Sequence, residues 1–408
     1  MPKGSTKFAC IKTTQITSLL LALATLPAVQ ASDDFARWLE ELKTEAASKG
    51  ISQATLNAAL TDVQPIERVI ELDRRQPEFT ETFWNYLDKR VTPGRISKGR
   101  KLLKQHQALL KRTERQFGVP PRYLVAFWGL ETNFGSYLGK FPTVDALITL
   151  AFDPRRDSFF RAQALDALRI IDEGHVAADE MKGSWAGAIG QLQFLPSTFL
   201  DNALDGDGDG RKDVWRNLSD VFTSGGNYLS NIGWQRGERW GREVRLPANF
   251  DWNNARLDFR KPIAFWAGQG VRRADGRPLP AADMSGAIVL PQGHTGPAFL
   301  VYENFNVIMK WNRSINYALS VGILADRIKG GGKILHGRDT DNRRLTRHMT
   351  QELQQLLNMQ GFDAGTPDGI PGYHTRKAVR AYQMQANLPA DGYPSLPLLE
   401  HLRRHRTP

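Results

Sequence analysis

The sequence predicts a mainly α-helical protein that carries a small β-rich insert and ends in a separate three-helix unit. Three observations carry that prediction. Apolar residues recur at helical spacing over most of the chain. The texture changes between 243 and 308, where Pro, Gly and short β-branched or aromatic runs gather. A glycine run, Gly330-Gly331-Gly332, then opens a polar stretch before a short second module. The 408 residues are 41% hydrophobic and 24% charged, which is ordinary globular composition and excludes disorder as the main state. No apolar run reaches the length of a membrane span, so a polytopic membrane protein is excluded. A net charge of +11 points to a polyanionic partner: nucleic acid, a lipid surface or an acidic polymer.

The N-terminus reads as an export signal over 1–31. Lys3, Lys7 and Lys12 precede the apolar run from Ile16 to Leu26, and Val29-Gln30-Ala31 offers a small-x-small cleavage point. An uncleaved anchor is the alternative, but the run covers only about half a bilayer. Cys10, the single cysteine, sits before the apolar run and so is no lipid-acceptor site. Loss of the leader, with three lysines and no acid, lowers the net charge from +11 to +8. The mature chain is then free of cysteine and cannot use disulfides.

From Asp33 to about Leu150 the pattern is helical. Phe35-Ala-Arg-Trp-Leu-Glu-Glu-Leu has i, i+3, i+4, i+7 spacing, and Ser52 is placed to cap the next helix. Lys98 to Phe117 reads as a basic amphipathic helix. Pro120-Pro121 opens Tyr123-Leu-Val-Ala-Phe-Trp-Gly-Leu, apolar on every face and therefore a buried helix. Further helices are expected at 158–182, 196–204, 219–232 and 314–328. The insert, 243–308, takes its strands from Ile263-Ala-Phe-Trp, Ala287-Ile-Val-Leu and Ala298-Phe-Leu-Val-Tyr. A first domain over 32–330 and a linker over 331–344 follow. The last unit, 345–408, repeats an Asp-Gly turn ahead of a helix, at Asp368-Gly369 and Asp391-Gly392, and at this size its core is marginal.

Two stretches look chemical. In Trp128-Gly-Leu-Glu131-Thr-Asn-Phe-Gly135, Glu131 closes an apolar helix. Burial and the negative helix end both favour a protonated carboxyl, as a general acid needs. A solvent-capped helix-end glutamate fits the same letters. In Lys182-Gly-Ser-Trp-Ala-Gly-Ala-Ile-Gly-Gln-Leu-Gln-Phe-Leu-Pro-Ser-Thr, glycines permit close backbone approach, and Ser184, Gln191 and Gln193 supply neutral donors and acceptors. That suits a sugar-like ligand and equally a tight helix–loop–helix joint. It lacks the ending of a P-loop.

The order ETNFG, FDPRR, GSWAGAIGQLQFLPST, DGDGDGRKDVW, GNYL and NFNVIMKWNRSINYA resembles the membrane-bound lytic transglycosylase B family, over roughly 33–330. The last unit resembles the peptidoglycan-binding domain 1 family. Both resemblances imply peptidoglycan as partner and a periplasmic enzyme of a Gram-negative bacterium. The first implies a lysozyme-like α+β catalytic domain. It also implies cleavage of the MurNAc–GlcNAc bond without water, giving 1,6-anhydroMurNAc ends. Glu131 would act as acid and then base, and no cofactor is required. Asp145 and Asp153, at turn-like positions, are the nearest other acids. The resemblance places Arg155 and Arg156 on stem-peptide carboxylates, Ser184 and Gln193 by the N-acetyl group or Glu131, and Tyr228, Asn312 and Tyr317 along the cleft.

Asp205-Gly-Asp-Gly-Asp-Gly-Arg-Lys-Asp213 matches the first half of an EF-hand loop. Asp205, Asp207 and Asp209 fall at positions 1, 3 and 5, the Arg211 carbonyl at 7 and Asp213 at 9. Arg216 stands where a bidentate acid belongs, so weak calcium binding and a metal-free Asx-turn loop both fit. The histidines, His175 and His294 among them, show no metal-ligand spacing. A water-using muramidase and a non-catalytic wall-binding scaffold are the competing readings. Nucleic acid is disfavoured by the export signal and the lack of a basic–aromatic reading motif. Wall-synthesis and division proteins are compatible further partners.

Overall fold

The structure, a computed structural model, describes residues 26–75, 81–338, 343 and 345–405. The leader lies for nearly all its length outside these residues. Among them, no helix is long and apolar enough to cross a membrane. Among the described residues, seven helices come first: α1 Leu26–Ser48, α2 Gln53–Leu60, α3 Glu67–Arg75, α4 Phe83–Arg90, α5 Pro93–Gln105, α6 Gln107–Phe117 and α7 Pro121–Thr132. The side chains of Ser52, Thr82 and Thr92 cap α2, α4 and α5 by accepting from main-chain N–H groups of the first turn. The single basic helix expected over 98–117 is two helices. His106 leaves helical backbone and packs its ring against Trp128 and Phe222 at 6.1 and 6.3 Å.

A two-residue strand β1, Phe141–Pro142, leads into α8, Thr143–Phe152, and α9, Asp157–Asp172. Helix α9 stops ten residues short of the expected end, because Gly174 turns left-handed at φ +77°. Strand β2, Lys182–Gly183, pairs antiparallel with β1. Then come α10, Pro196–Asn202, and α11, Leu218–Asn231.

The insert holds β3 Gly241–Arg245, β4 Lys261–Pro262, α12 Ile263–Gly268, β5 Arg272–Arg273, β6 Ser285–Val289 and β7 Ala298–Val301. Ile263-Ala-Phe-Trp is therefore a helix, against the strand expectation. Pro262 sits at its N-cap, and Trp266 turns fully inward to donate its indole N–H to the Gly286 carbonyl. The five strands order as β4-β6-β7-β3-β5, every pair antiparallel. Alternate residues point to opposite faces of a strand. Ala287, Val289, Phe299 and Val301 join the main core, while Ile288, Leu290, Ala298 and Leu300 join a second core within the insert. The sheet is thus welded to the helical body. Helices α13, Glu303–Trp311, and α14, Ile315–Ile328, return the chain to that body.

The described part of the stretch expected as a linker, 331–338, is tied down over its last four residues. Glu243 accepts the N–H groups of Leu335 and His336, Trp84 donates to the Gly337 carbonyl at 2.7 Å, and Arg338 pairs with Asp88. Helices α15 Arg347–Met359, α16 Tyr373–Gln385 and α17 Leu396–Arg404 then form the three-helix unit around their own core.

Its Asp-Gly repeat is a duplicated structure. Gln354 of α15 donates to Asp368 Oδ1 at 3.0 Å and accepts from Gly369 N–H at 2.9 Å; Gln383 of α16 does the same with Asp391 and Gly392, at 2.8 and 2.8 Å. In each turn the same Oδ1 also accepts the N–H two residues on, from Ile370 or Tyr393. A proline and the next helix follow both times. The second turn docks the unit onto the insert, where Asp391 Oδ2 accepts the His294 main-chain N–H at 2.8 Å.

Candidate active site

Helix α7 is buried from Tyr123 to Gly129, as its all-round apolar sequence requires. It ends at Thr132. Asn133, Phe134 and Gly135 then turn left-handed in succession, at φ +50°, +62° and +71°. Two such residues with side chains cost about 1–3 kcal/mol each, so the surroundings must hold them. They do. A Cβ at Gly129 would stand 2.8 Å from the Phe134 ring, so glycine there lets the ring fold back under the helix. Phe134 meets Trp128 edge-on at 5.6 Å. Thr132 Oγ1 accepts the Gly135 N–H at 3.0 Å and donates to the Gln191 carbonyl at 2.8 Å.

This turn presents Glu131, half-buried, at the end of the helix. Two donors converge on its Oε1. The Trp311 indole N–H lies 3.0 Å away, and the Tyr317 hydroxyl donates in a close hydrogen bond. Trp311 is the last residue of α13 and Tyr317 lies in the first turn of α14. The sharp joint between them brings both to one atom. Asn312 builds that joint: its Oδ1 accepts the Ser314 N–H at 3.2 Å, and Ser314 Oγ accepts the Tyr317 N–H. Around the indole pack Phe127 at 4.3 Å, Tyr228 at 5.1 Å and Phe194 at 5.5 Å. Burial pushes the Tyr228 hydroxyl above its ordinary pKa, so it stays a neutral donor.

Trp311, whose indole N–H meets Glu131, is a candidate site residue that the local sequence pattern did not point to. Its sign in the sequence is its place within NFNVIMKWNRSINYA.

The glycine-rich loop is fastened to the same helix. Gln191 accepts from the Trp128 indole at 2.7 Å and donates to the Trp215 carbonyl at 2.9 Å. Gln193 sits left-handed at φ +52° and gives its amide hydrogens to the Leu138 and Gly190 carbonyls. Its Oε1 accepts no hydrogen bond among the described residues. Ser184 Oγ accepts the Ala188 N–H at 3.0 Å and keeps its own proton to donate. Gly183 must lack a side chain, since a Cβ would fall 2.2 Å from the Ala188 carbonyl oxygen.

Arg155 and Arg156 do not stand free. Both guanidinium groups pair with buried Asp73 of α3, Arg155 closely and Arg156 at 3.5 Å. Asp153 accepts the Arg155 N–H and faces Arg74 at 3.6 Å. Asp145, in the first turn of α8, has its pKa raised by burial.

In the acidic loop, one carboxylate oxygen each of Asp205, Asp207 and Asp209 lies within 4.8 Å of the others. Asp205 accepts three main-chain N–H groups, from Gly208, Asp209 and Gly210, which holds its carboxyl below its ordinary range. Asp213, by contrast, spends Oδ1 on the N–H groups of Trp215 and Arg216, and Arg216 points to Glu180 at 2.7 Å. Buried Asp220 underpins the loop through the Gly206 and Asp213 N–H groups. Burial, reinforced by the charges of Asp207 and Asp205, pushes its pKa up to about 6. Three converging carboxylates suit a hard, oxygen-seeking cation. Asp213 does not belong to that set.

Comparison with known proteins joins these features. The family model for the transglycosylase SLT domain matches residues 34–326, and that for a putative peptidoglycan binding domain matches 347–402. Membrane-bound lytic murein transglycosylase B of Escherichia coli K12 is 27% identical over 289 residues, 68% of this chain and 79% of that protein. The structure resembles SltB3 from Pseudomonas aeruginosa, solved in complex with NAG-anhNAM-pentapeptide. The TM-score is 0.87 and the identity 45%, over 90% of this chain and 99% of that one. It also resembles the Escherichia coli lytic transglycosylase Slt35, solved in complex with calcium. Here the TM-score is 0.62 and the identity 27%, over 72% of this chain and 92% of that one. The chain belongs to the lytic murein transglycosylase family, enzymes that act on peptidoglycan.

Proposed function

We propose that the protein cleaves the MurNAc–GlcNAc β-1,4 bond without water and leaves 1,6-anhydroMurNAc ends, in the periplasm of a Gram-negative bacterium. The observation that carries this reading is the pair of donors on Glu131 Oε1 inside an aromatic enclosure. Glu131 gives its proton to the glycosidic oxygen as that bond breaks. The substrate's own 2-acetamido oxygen stabilises the anomeric centre. The carboxylate left behind is held by the Trp311 and Tyr317 donors, which are in place before charge develops. It then takes the proton of the muramyl C6 hydroxyl, whose oxygen closes on the anomeric carbon. One carboxylate therefore does both steps, unlike the paired-carboxylate glycosidases.

Tyr228 offers a ring face to a sugar, and Ser184 Oγ and Gln193 Oε1 offer a donor and an acceptor to its N-acetyl group. Asn312 acts through the turn it builds. Arg155 and Arg156 serve Asp73 first and reach substrate carboxylates only with their exposed edges. Asp205, Asp207 and Asp209, with the Arg211 carbonyl, would hold calcium, whose charge would lock the loop between α10 and α11. The unit from 345 onward holds the wall polymer.

Digestion of purified sacculi with the full chain tests the reaction. Fragments one water lighter than hydrolysis products are expected. Reducing ends alone would assign the chemistry to a muramidase.

A further inference from the structure

We propose that the cavity between the C-terminal unit and the body is a binding site for a phosphate group, free or as a monoester, held by Arg376 and Lys377 on one wall and Arg313 on the other. The site lies outside the chemistry proposed for Glu131 and does not depend on it.

The cavity measures about 780 Å³. One wall is a face of α16, where Tyr373, Arg376, Lys377 and Arg380 follow at i, i+3, i+4 and i+7 spacing. The other wall comes from the insert, at Arg256 and Asp258, and from the joint between α13 and α14, at Arg313 to Asn316. The carboxylates that face the cavity are already spent. Glu81 pairs with Lys89 and Arg90, Asp258 with Arg256 at 3.3 Å, and Asp391 with His294. Arg380 is spent as well, on the main-chain carbonyls of Ala255, Ala390 and Asp391. The side chains of Arg376, Lys377 and Arg313 make no ion pair or hydrogen bond among the described residues. Arg376 is half-buried, and its desolvation works against its charge. A guanidinium does not shed its proton in a protein. A partly desolvated charge is costly without a partner, so the cavity is suited to an anion that supplies one.

Two features select phosphate over a carboxylate. A carboxylate offers two oxygens on one edge, which a single guanidinium fork satisfies. The cations here stand on opposite walls, and a tetrahedral phosphate turns oxygens to both. The N-terminus of α16 also opens on the cavity at Gly372 and Tyr373, and no side chain caps it, so its first N–H groups add donors to that wall. Phosphate bound there joins the C-terminal unit to Arg313, which sits inside the joint that carries Trp311 and Tyr317 to Glu131.

The test is calorimetric titration of the full chain with inorganic phosphate and with glycerol 3-phosphate, at an ionic strength held constant with chloride. Acetate is the carboxylate control. Phosphate is expected to bind, and acetate about tenfold more weakly or less well still. Tighter binding of glycerol 3-phosphate assigns the site to a monoester, and tighter binding of inorganic phosphate to the free ion; both support the proposal. Arg376→Gln and Arg313→Gln, one from each wall, should each weaken phosphate about tenfold or more, as loss of a charge-assisted hydrogen bond implies. Lys104→Gln, on the exposed face of α5, should leave binding unchanged. Phosphate should raise the melting midpoint of the unaltered chain and not that of the two arginine variants, which also reports that they fold. No binding of millimolar phosphate by the unaltered chain, equal binding by either arginine variant, or acetate bound as tightly as phosphate would overturn the proposal. So would an equal loss in Lys104→Gln, which marks a general attraction of anions to a basic protein.

Discussion

The Glu131 site and the Asp205 loop are both built around carboxylates, and they are built in opposite ways. Glu131 receives its partners from across the chain: Trp311 and Tyr317 lie 180 and 186 residues on. The loop's carboxylates are satisfied within a few residues, chiefly by main-chain N–H groups. A site made by convergence depends on the packing of α7 against α14. A site made locally depends on loop conformation and on glycines such as Gly210, at φ +88°. Damage to the first should therefore stop chemistry with the fold intact. Damage to the second should lower stability and cation affinity while chemistry persists.

The largest effect expected is that of Glu131→Gln. It removes both acid and base, so turnover of sacculi should fall by on the order of 10³-fold or more with sacculus binding retained. Next is Trp311→Phe, which deletes one donor and keeps the ring. We expect a loss of roughly tenfold or more in kcat. The pH limb that reports Glu131 should shift upward, because the carboxylate has lost a hydrogen bond. An unshifted limb would reduce Trp311 to packing.

The loop comes third. Asp205→Ala should abolish calcium binding by calorimetry and leave residual turnover well above that of Glu131→Gln. The pH response of the metal-free chain separates the regions again. Asp220, with its pKa pushed up to about 6, binds its proton more tightly folded than unfolded. Its carboxylate therefore costs stability as pH rises from about 4 through about 6, and the cost stays constant above that. The melting midpoint in chelator should fall by a few degrees across that window, and less so with calcium present. The smallest effect is that of Arg155→Ala. Arg156 still faces Asp73, so stability should change by about 1 kcal/mol or less in denaturant titration.

The same contrast explains what was legible in the sequence. Spacing alone exposed the acidic loop, because its three converging carboxylates stand at alternate positions. Glu131 stood out as a candidate because its helix is apolar on all sides, and the family resemblance favoured it over a solvent-capped helix end. Trp311 did not stand out, since no local pattern reveals that α13 ends against α7. The Arg155–Asp73 pair was hidden for the same reason: 82 residues separate its members. The strand expected at Ile263 failed because four apolar residues cannot by themselves distinguish a strand from a single helical turn. Asp213 was expected as a ligand by position; its Oδ1 accepts the Trp215 and Arg216 N–H groups, and it is not among the three converging carboxylates. The duplicated Asp-Gly turns were visible as letters, but their glutamine partners became visible only when α15 and α16 were folded.

The central claim is that Glu131 closes the product with the sugar's own hydroxyl, so no water enters. Cleavage of purified sacculi in ¹⁸O-enriched water tests this directly. The account predicts anhydro ends free of the label in every fragment. Label at the new muramyl ends would contradict it.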